Sequence, residues 1–235
     1  MVFEPINQRS TIIALDYQYN IFDFTKYLTE TAKFKGYSFK QVPLNFQTNS
    51  PDKEEAAKHI ASIPIVSFKS EKIGIDVTLN GFENKLDIVN DNFDPSNTHN
   101  YTDIAYNLIQ SRLSLISAFG INFISNFEFN KKLKLLNPDV VDTIKDFSKN
   151  LTFQLVLPIE YADYTVTYKV QKLIPEVKNA NRIYQIDANF HIDLADKDIE
   201  EKLSLFKGNL SNLKGNLYQI YYERCQEFLS LHYEE

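Results

Sequence analysis

One cysteine, no tryptophan, four histidines, six glycines and eight prolines in 235 residues leave several kinds of chemistry without the side chains they need. A lone thiol, Cys225, builds no internal disulfide framework and fits a reducing compartment. The histidines, His59, His99, His191 and His232, lack the spacing of a transition-metal site. So few glycines leave no phosphate-cradling loop, and neither a P-loop, a dinucleotide fingerprint nor a Gly-x-Ser-x-Gly elbow occurs. No cofactor is therefore expected. No apolar run approaches the roughly 20 residues of a membrane-spanning helix. The opening MVFEPINQRS also lacks the basic-then-apolar order of a signal peptide. The expected location is the cytoplasm, or a virion if a phage carries the gene. Positive charge is scarce too: 25 Lys and Arg against 31 Asp and Glu give a net charge of −6, which repels nucleic-acid phosphates at long range. The best basic cluster, Lys131, Lys132 and Lys134, is too small to reverse that. The partners expected are proteins or a second copy of the chain.

What the chain has in quantity is apolar and aromatic surface. At 43% hydrophobic, with 18 Phe and 14 Tyr, it is rich enough to bury a sizeable core. A single α+β domain over 1–235 is expected, with a division into two sub-lobes near 130–150 as its finer form. Residues 11–19 alternate as a strand. Asp23 is placed to cap a helix that ends near Gly36, a residue suited to the left-handed position after a helix. Residues 38–47 look extended, with Pro43 pushing them towards a sheet edge. Ser50-Pro51 marks the start of a short helix over 52–61.

Asn80-Gly81, between 73–79 and 82–89, is the strongest short-range hairpin signal in the chain. A two-residue turn there would set Leu79 opposite Phe82 and Asp76 opposite Lys85. One face would then carry Ile73, Ile75, Val77, Leu79, Phe82, Leu86 and Ile88, and the other Asp76, Thr78, Glu83, Lys85 and Asp87. A helix over 101–119 follows, capped by Asn100 and stopped by Gly120. Residues 121–130 read as a strand, Asn137-Pro138 opens a helix to about 148, and 151–193 reads as a meander. The tail, 197–232, reads as one long amphipathic helix whose stripe is Ile199, Leu203, Phe206, Leu210, Leu213, Leu217 and Ile220. Strands arrive in consecutive groups and are not separated one by one by helices, so the α+β class with antiparallel sheets is favoured over a parallel, doubly wound one.

Three constellations invite a chemical reading. In YQIDANFHID, Asp187, Asn189, His191 and Asp193 alternate with apolar residues, so a cation held by Asp187 and His191 competes with a solvated strand face. Alternate residues on a strand lie about 7 Å apart, so a row of four does not converge on one ion, and the solvated face is favoured. Asp76 with Glu83-Asn84-Lys85 matches the acidic-residue and Glu-x-Lys pattern of metal-dependent nucleases, in which carboxylates hold Mg²⁺ and the lysine polarises water. A cross-strand ion pair is the plainer role for the same residues. The terminal stripe, Leu203, Phe206, Leu210, Leu213, Leu217 and Ile220, either covers the sheet or seams against a partner. Gly208 and Gly215, seven apart, would permit a close approach at a cost of up to about 1 kcal/mol each relative to Ala.

From about residue 68 to 229 the order of elements resembles a sporadically distributed family of uncharacterised bacterial proteins. Its members carry a hairpin, a helix, a Gly-Leu-Arg-Tyr-Ile-Asn strand, further strands ending in Leu-Asp-Ile-Asp, and a closing helix with a regular apolar stripe. Here Gly120-Ile-Asn-Phe-Ile-Ser keeps the glycine and the apolar positions, with Asn122 in place of the family's Arg and Ser125 in place of its Asn. Tyr184-Gln-Ile-Asp keeps Ile186 and Asp187. The resemblance implies a prokaryotic, mobile-element setting and no particular activity. With a sound core pattern, many tyrosines and asparagines expected at the surface and no convergent catalytic set, the leading expectation is a non-catalytic assembly or interaction subunit of a prokaryotic or phage complex. A metal-dependent nuclease using Asp76, Glu83 and Lys85, and an antitoxin or immunity partner, are the alternatives.

Overall fold

The computed structural model describes residues 2–43, 64–129, 155–161, 164–173, 182–213 and 216–232. The helices expected at 52–61 and 138–148, the lysines at 131, 132 and 134, and the lobe boundary near 130–150 lie outside the described residues. The strands are β1 (Asn7–Leu15), β2 (Lys40–Val42), β3 (Ile65–Ser70), β4 (Ile75–Asn80), β5 (Lys85–Asn90), β6 (Ala118–Phe129), β7 (Leu155–Tyr161), β8 (Tyr164–Leu173) and β9 (Arg182–Asp193). They form one nine-stranded sheet in the order β2-β3-β4-β5-β1-β6-β9-β8-β7. Each neighbouring pair is antiparallel. The class is α+β, as the grouping of the strands predicts. The hairpin and the meander share this one sheet because β1 lies between β5 and β6 and pairs with both.

Period-two alternation sets the faces. Val66, Phe68, Ile75, Val77, Leu79, Leu86, Ile88, Ile12, Ala14, Phe119, Ile121, Phe123, Ile186, Ala188, Phe190 and Val166 are buried on one side. That side is covered by α1 (Ile21–Glu30), α3 (His99–Ile109), α4 (Ile199–Asn212) and α5 (Asn216–His232); a single turn, α2 (Ala32–Lys35), adds Phe34. Asn20, not Asp23, caps α1: its carboxamide oxygen accepts from the Phe22 and Asp23 N–H groups. Asp198 does the same for α4 at Glu200 and Glu201, two acids that also suit the positive end of the helix.

Several expected boundaries move, each for a local reason. Gly36 is right-handed at φ −64, and the left-handed residue is Ser38 at φ 57. The helix expected to run to 119 stops at Ile109 and passes through a 3-10 turn, Gln110–Arg112. Gly120 is an interior residue of β6 and stops no helix. Phe119, Ile121, Phe123, Phe127 and Phe129 alternate there to the buried face, which outweighs local helix preference. The tail is two helices, with 214–215 outside the described residues; Gly208 sits exposed within α4, with nothing near the place its side chain would occupy. The β4–β5 connection is a four-residue loop that pairs Asn80 with Lys85, so Leu79 faces Leu86 and Asp76 faces Val89. Gly81 donates its N–H to the Pro64 carbonyl at 2.6 Å, and the Asn80 side chain accepts from Phe82 and Glu83. These bonds, with Asn84 left-handed at φ 48, hold the longer loop open and leave Phe82 67% exposed.

Tyrosines lock the two layers together. Many of those expected at the surface are interior, with Tyr17, Tyr101, Tyr184 and Tyr221 at 1% exposure or less. The Tyr101 hydroxyl donates to the Ile88 carbonyl of β5 at 3.1 Å, and Tyr221 donates to Ile186 of β9 at 2.7 Å. Tyr17 and Tyr27 donate to the carbonyls of Leu108 and Asn107 in the last turn of α3, where helix carbonyls run out of partners. Lys202, 7% exposed, reaches from α4 to the Ile116 carbonyl at 2.8 Å. Removing one such buried donor costs about 1–3 kcal/mol. In urea denaturation Tyr221→Phe is therefore expected to lose about that much stability. Tyr222→Phe, whose hydroxyl makes only long contacts, 3.4 Å to the Phe3 carbonyl and 3.5 Å to Glu4 Oε1, is expected to stay within about 0.5 kcal/mol of wild type.

Candidate functional site

The face of the sheet away from the helices carries the side chains first considered for chemistry. Lys69 on β3 meets Asp76 on β4 at 3.4 Å, and Lys85 meets Asp87 two places along β5 at 3.1 Å. Asp76 and Lys85 are separated by two same-face steps of the sheet, roughly 13 Å, because the four-residue turn moves Lys85 opposite Asn80. Glu83 lies in that turn, exposed and off both strands. The structure therefore does not bring Asp76, Glu83 and Lys85 together.

On β9, Asp187 lies between Ile124 and Lys169, and both its carboxylate oxygens accept from Gln185 Nε2, at 2.8 and 3.1 Å. His191 lies between Gly120 and Thr165, four residues farther on, so the two side chains start roughly 13 Å apart. Among the described residues no group of three or more His, Cys, Asp or Glu side chains is arranged to hold a metal ion. This face is drier than a plain solvated strand. Burial foremost raises the pKa of Asp187 and of Asp87, against the opposing pull of Gln185 and Lys169 in the first case and of Lys85 in the second. One side-chain oxygen each of Asp76, Asn122 and Asn126 is buried there with no hydrogen-bond partner among the described residues. Cys225 is enclosed beneath α5, and burial, its largest influence, pushes the thiol up to about 12, so thiolate chemistry is suppressed.

The apolar stripe of the tail faces inward. Phe206, Leu210, Leu213 and Leu217 are buried, and Leu203 and Ile220 are half-buried against the same core. Phe206 sets its edge on Phe119 at 5.3 Å and stacks with Tyr106 at 6.1 Å. A partner would meet other residues.

What sequence reasoning missed lies at the end of the sheet where β1, β4 and β9 finish and β5 and β6 begin. A cleft of about 680 Å³ opens there, between the loop from β1 to α1 and the β4–β5 turn. Asn84, left-handed at φ 48, lines it, and Asp16, left-handed at φ 59, stands one residue before the lining residue Tyr17, whose N–H donates to the Asn84 carbonyl at 2.7 Å. Such strained residues gather at functional sites more often than elsewhere. Tyr19 stacks between Tyr17 and Tyr27, with centroids 6.2 and 6.0 Å away, and the Arg112 guanidinium lies 4.2 Å from its ring centre. Phe22, on the same cleft, is 79% exposed. The only sequence signal for this site was Asn80-Gly81, and it pointed to a tight hairpin.

Comparison of the chain with protein-family models, with curated proteins and with solved structures finds no match. No helix among the described residues is long and apolar enough to cross a membrane.

The raised pKa of Asp187 carries a sign. A folded carboxyl that keeps its proton above the usual 3.8 costs the native state stability as pH climbs through the folded value, and that cost is complete above it. Asp187→Asn removes the cost. The variant is expected to be more stable than wild type at neutral pH, with the difference closing below 3.8, as read from denaturation midpoints across pH. A difference independent of pH would contradict this.

Proposed function

We infer that the protein is a non-catalytic interaction subunit that docks a protein partner, or a second copy of itself, with the end of the sheet that carries the cleft. One observation carries the reading. Of the eight large apolar side chains exposed among the described residues, four lie at this end: Phe22 (79%), Phe82 (67%), Ile199 (52%) and Leu115 (47%). Phe22 opens α1 beside the cleft, and Phe82 tops the β4–β5 turn whose Gly81 and Asn84 line it. Leu115 precedes β6, and Ile199 opens α4; their two loops are tied by the Leu194 N–H donating to Ser117. Exposed apolar side chains gathered in one region mark docking surfaces, whereas scattered ones do not. The charged side chains of the open sheet face, by contrast, already hold one another in Lys69–Asp76 and Lys85–Asp87. An immunity or antitoxin role is a special case of the same docking.

The test combines light scattering of the full chain with affinity capture from its native cell, for wild type and for the double variant Phe22→Ser/Phe82→Ser. Association, with self or with a partner, is expected for wild type and is lost in the variant. The unfolding midpoint should stay within about 1 kcal/mol of wild type, since both side chains are already exposed. A wild-type chain that remains monomeric and retains nothing, or a double variant that associates equally well, contradicts the proposal.

A further inference from the structure

Arg112 differs from the other arginines whose side chains are described. Arg9 is held by Asp91 at 3.1 Å and Arg224 by Glu227 at 2.5 Å. Arg112 has no carboxylate and no hydrogen-bond partner among the described residues; stacking on Tyr19 alone fixes it. Stacking uses the flat face of a guanidinium and leaves its N–H edge free to donate, an edge that matches a carboxylate two bonds at a time. The Tyr19 hydroxyl likewise has no partner among the described residues, in contrast to Tyr17 and Tyr27 on either side of it, which are spent on α3 carbonyls. The cleft thus presents an unpaired cation and a spare hydroxyl beside the bare ring of Phe22. Asp23, on the same cleft, opposes an anion and limits its affinity.

We propose that the cleft binds a carboxylate carried beside an apolar side chain of a protein partner, with Arg112 and Tyr19 donating to the carboxylate and Phe22 covering its apolar neighbour. The proposal rests on the interaction reading above and names what that end of the sheet recognises.

Backbone-amide NMR titrations of the full chain with small probes test it. N-acetylphenylalanine supplies a carboxylate beside a ring, its C-terminal amide removes the charge, and phenyl phosphate changes the anion. N-acetylphenylalanine is expected to shift the amides of Tyr19, Phe22, Phe82 and Asn84 saturably, with the amide probe at least about tenfold weaker. Arg112→Gln should weaken the acid by a similar factor, and Asp23→Asn should strengthen it. If Arg112→Gln does not fold, the acid and amide probes on wild type still decide. Equal binding of acid and amide, no saturable shift at the cleft, unchanged affinity in a folded Arg112→Gln, or tighter binding of phenyl phosphate would each overturn the proposal. Should the probes fail while Phe22→Ser/Phe82→Ser still abolishes association, the carboxylate site is wrong and the interaction reading survives. Should the acid bind while the chain never associates, the interaction reading falls, and with it the protein source of the carboxylate.

Discussion

The sheet is continuous only because of β1. The first strand in the chain takes the middle place, antiparallel to β5 on one side and β6 on the other, and among the described residues no other pairing joins β2–β5 to β6–β9. Ile12 and Ala14 on its inner face are completely buried. Tyr17, just past its end, is tied to the last turn of α3 and to Asn84. These contacts span large sequence separations, so loop-closure entropy must be met before the strand is rewarded. The chain is bound to its own fold from the N-terminal end.

The same strand positions the docking end. Where β1 leaves the sheet, Asp16 turns left-handed and sends Tyr17 and Tyr19 across the top of the β4–β5 turn. The 3-10 turn after α3 brings Arg112 over the second of them. Three separate parts of the chain meet there, each held by hydrogen bonds, and Phe22 and Phe82 at the rim stay exposed. The opposite logic governs the open sheet face. Polar side chains stand there in rows, paired by register, and partial burial raises the carboxyls of Asp87 and Asp187 without arranging a third acidic or imidazole ligand beside them.

Period-two alternation made the fold legible where it was strong. Residues 184–193 carry it without interruption, and β9 holds that alternation at every position. It failed where a long-range backbone hydrogen bond outvoted local preference. Asn80-Gly81 has the composition of a two-residue turn, but the carbonyl of Pro64, seventeen places before Gly81, takes the Gly81 N–H and lengthens the loop. A one-dimensional pattern has no access to that carbonyl. Residues 113–119 looked helical because their apolar positions also suit a helix, and only pairing with β1 and β9 decides for a strand at Ala118. The tail stripe was readable as apolar, but which way it faced was not, since core packing and a partner seam demand the same residues. The cleft was illegible because Arg112, Tyr19 and Asn84 are far apart in sequence and meet only through the strand order.

If β1 joins the two halves, they cannot open separately. Native-state hydrogen exchange of the full chain in rising denaturant measures this directly, by comparing slow amides of β4 and β5 with those of β6 and β9. A common opening free energy with a common denaturant dependence is predicted for both sets. If β4 and β5 opened well below the denaturant concentration at which β6 and β9 opened, β1 would be an addition to one half and not the strand that unites them.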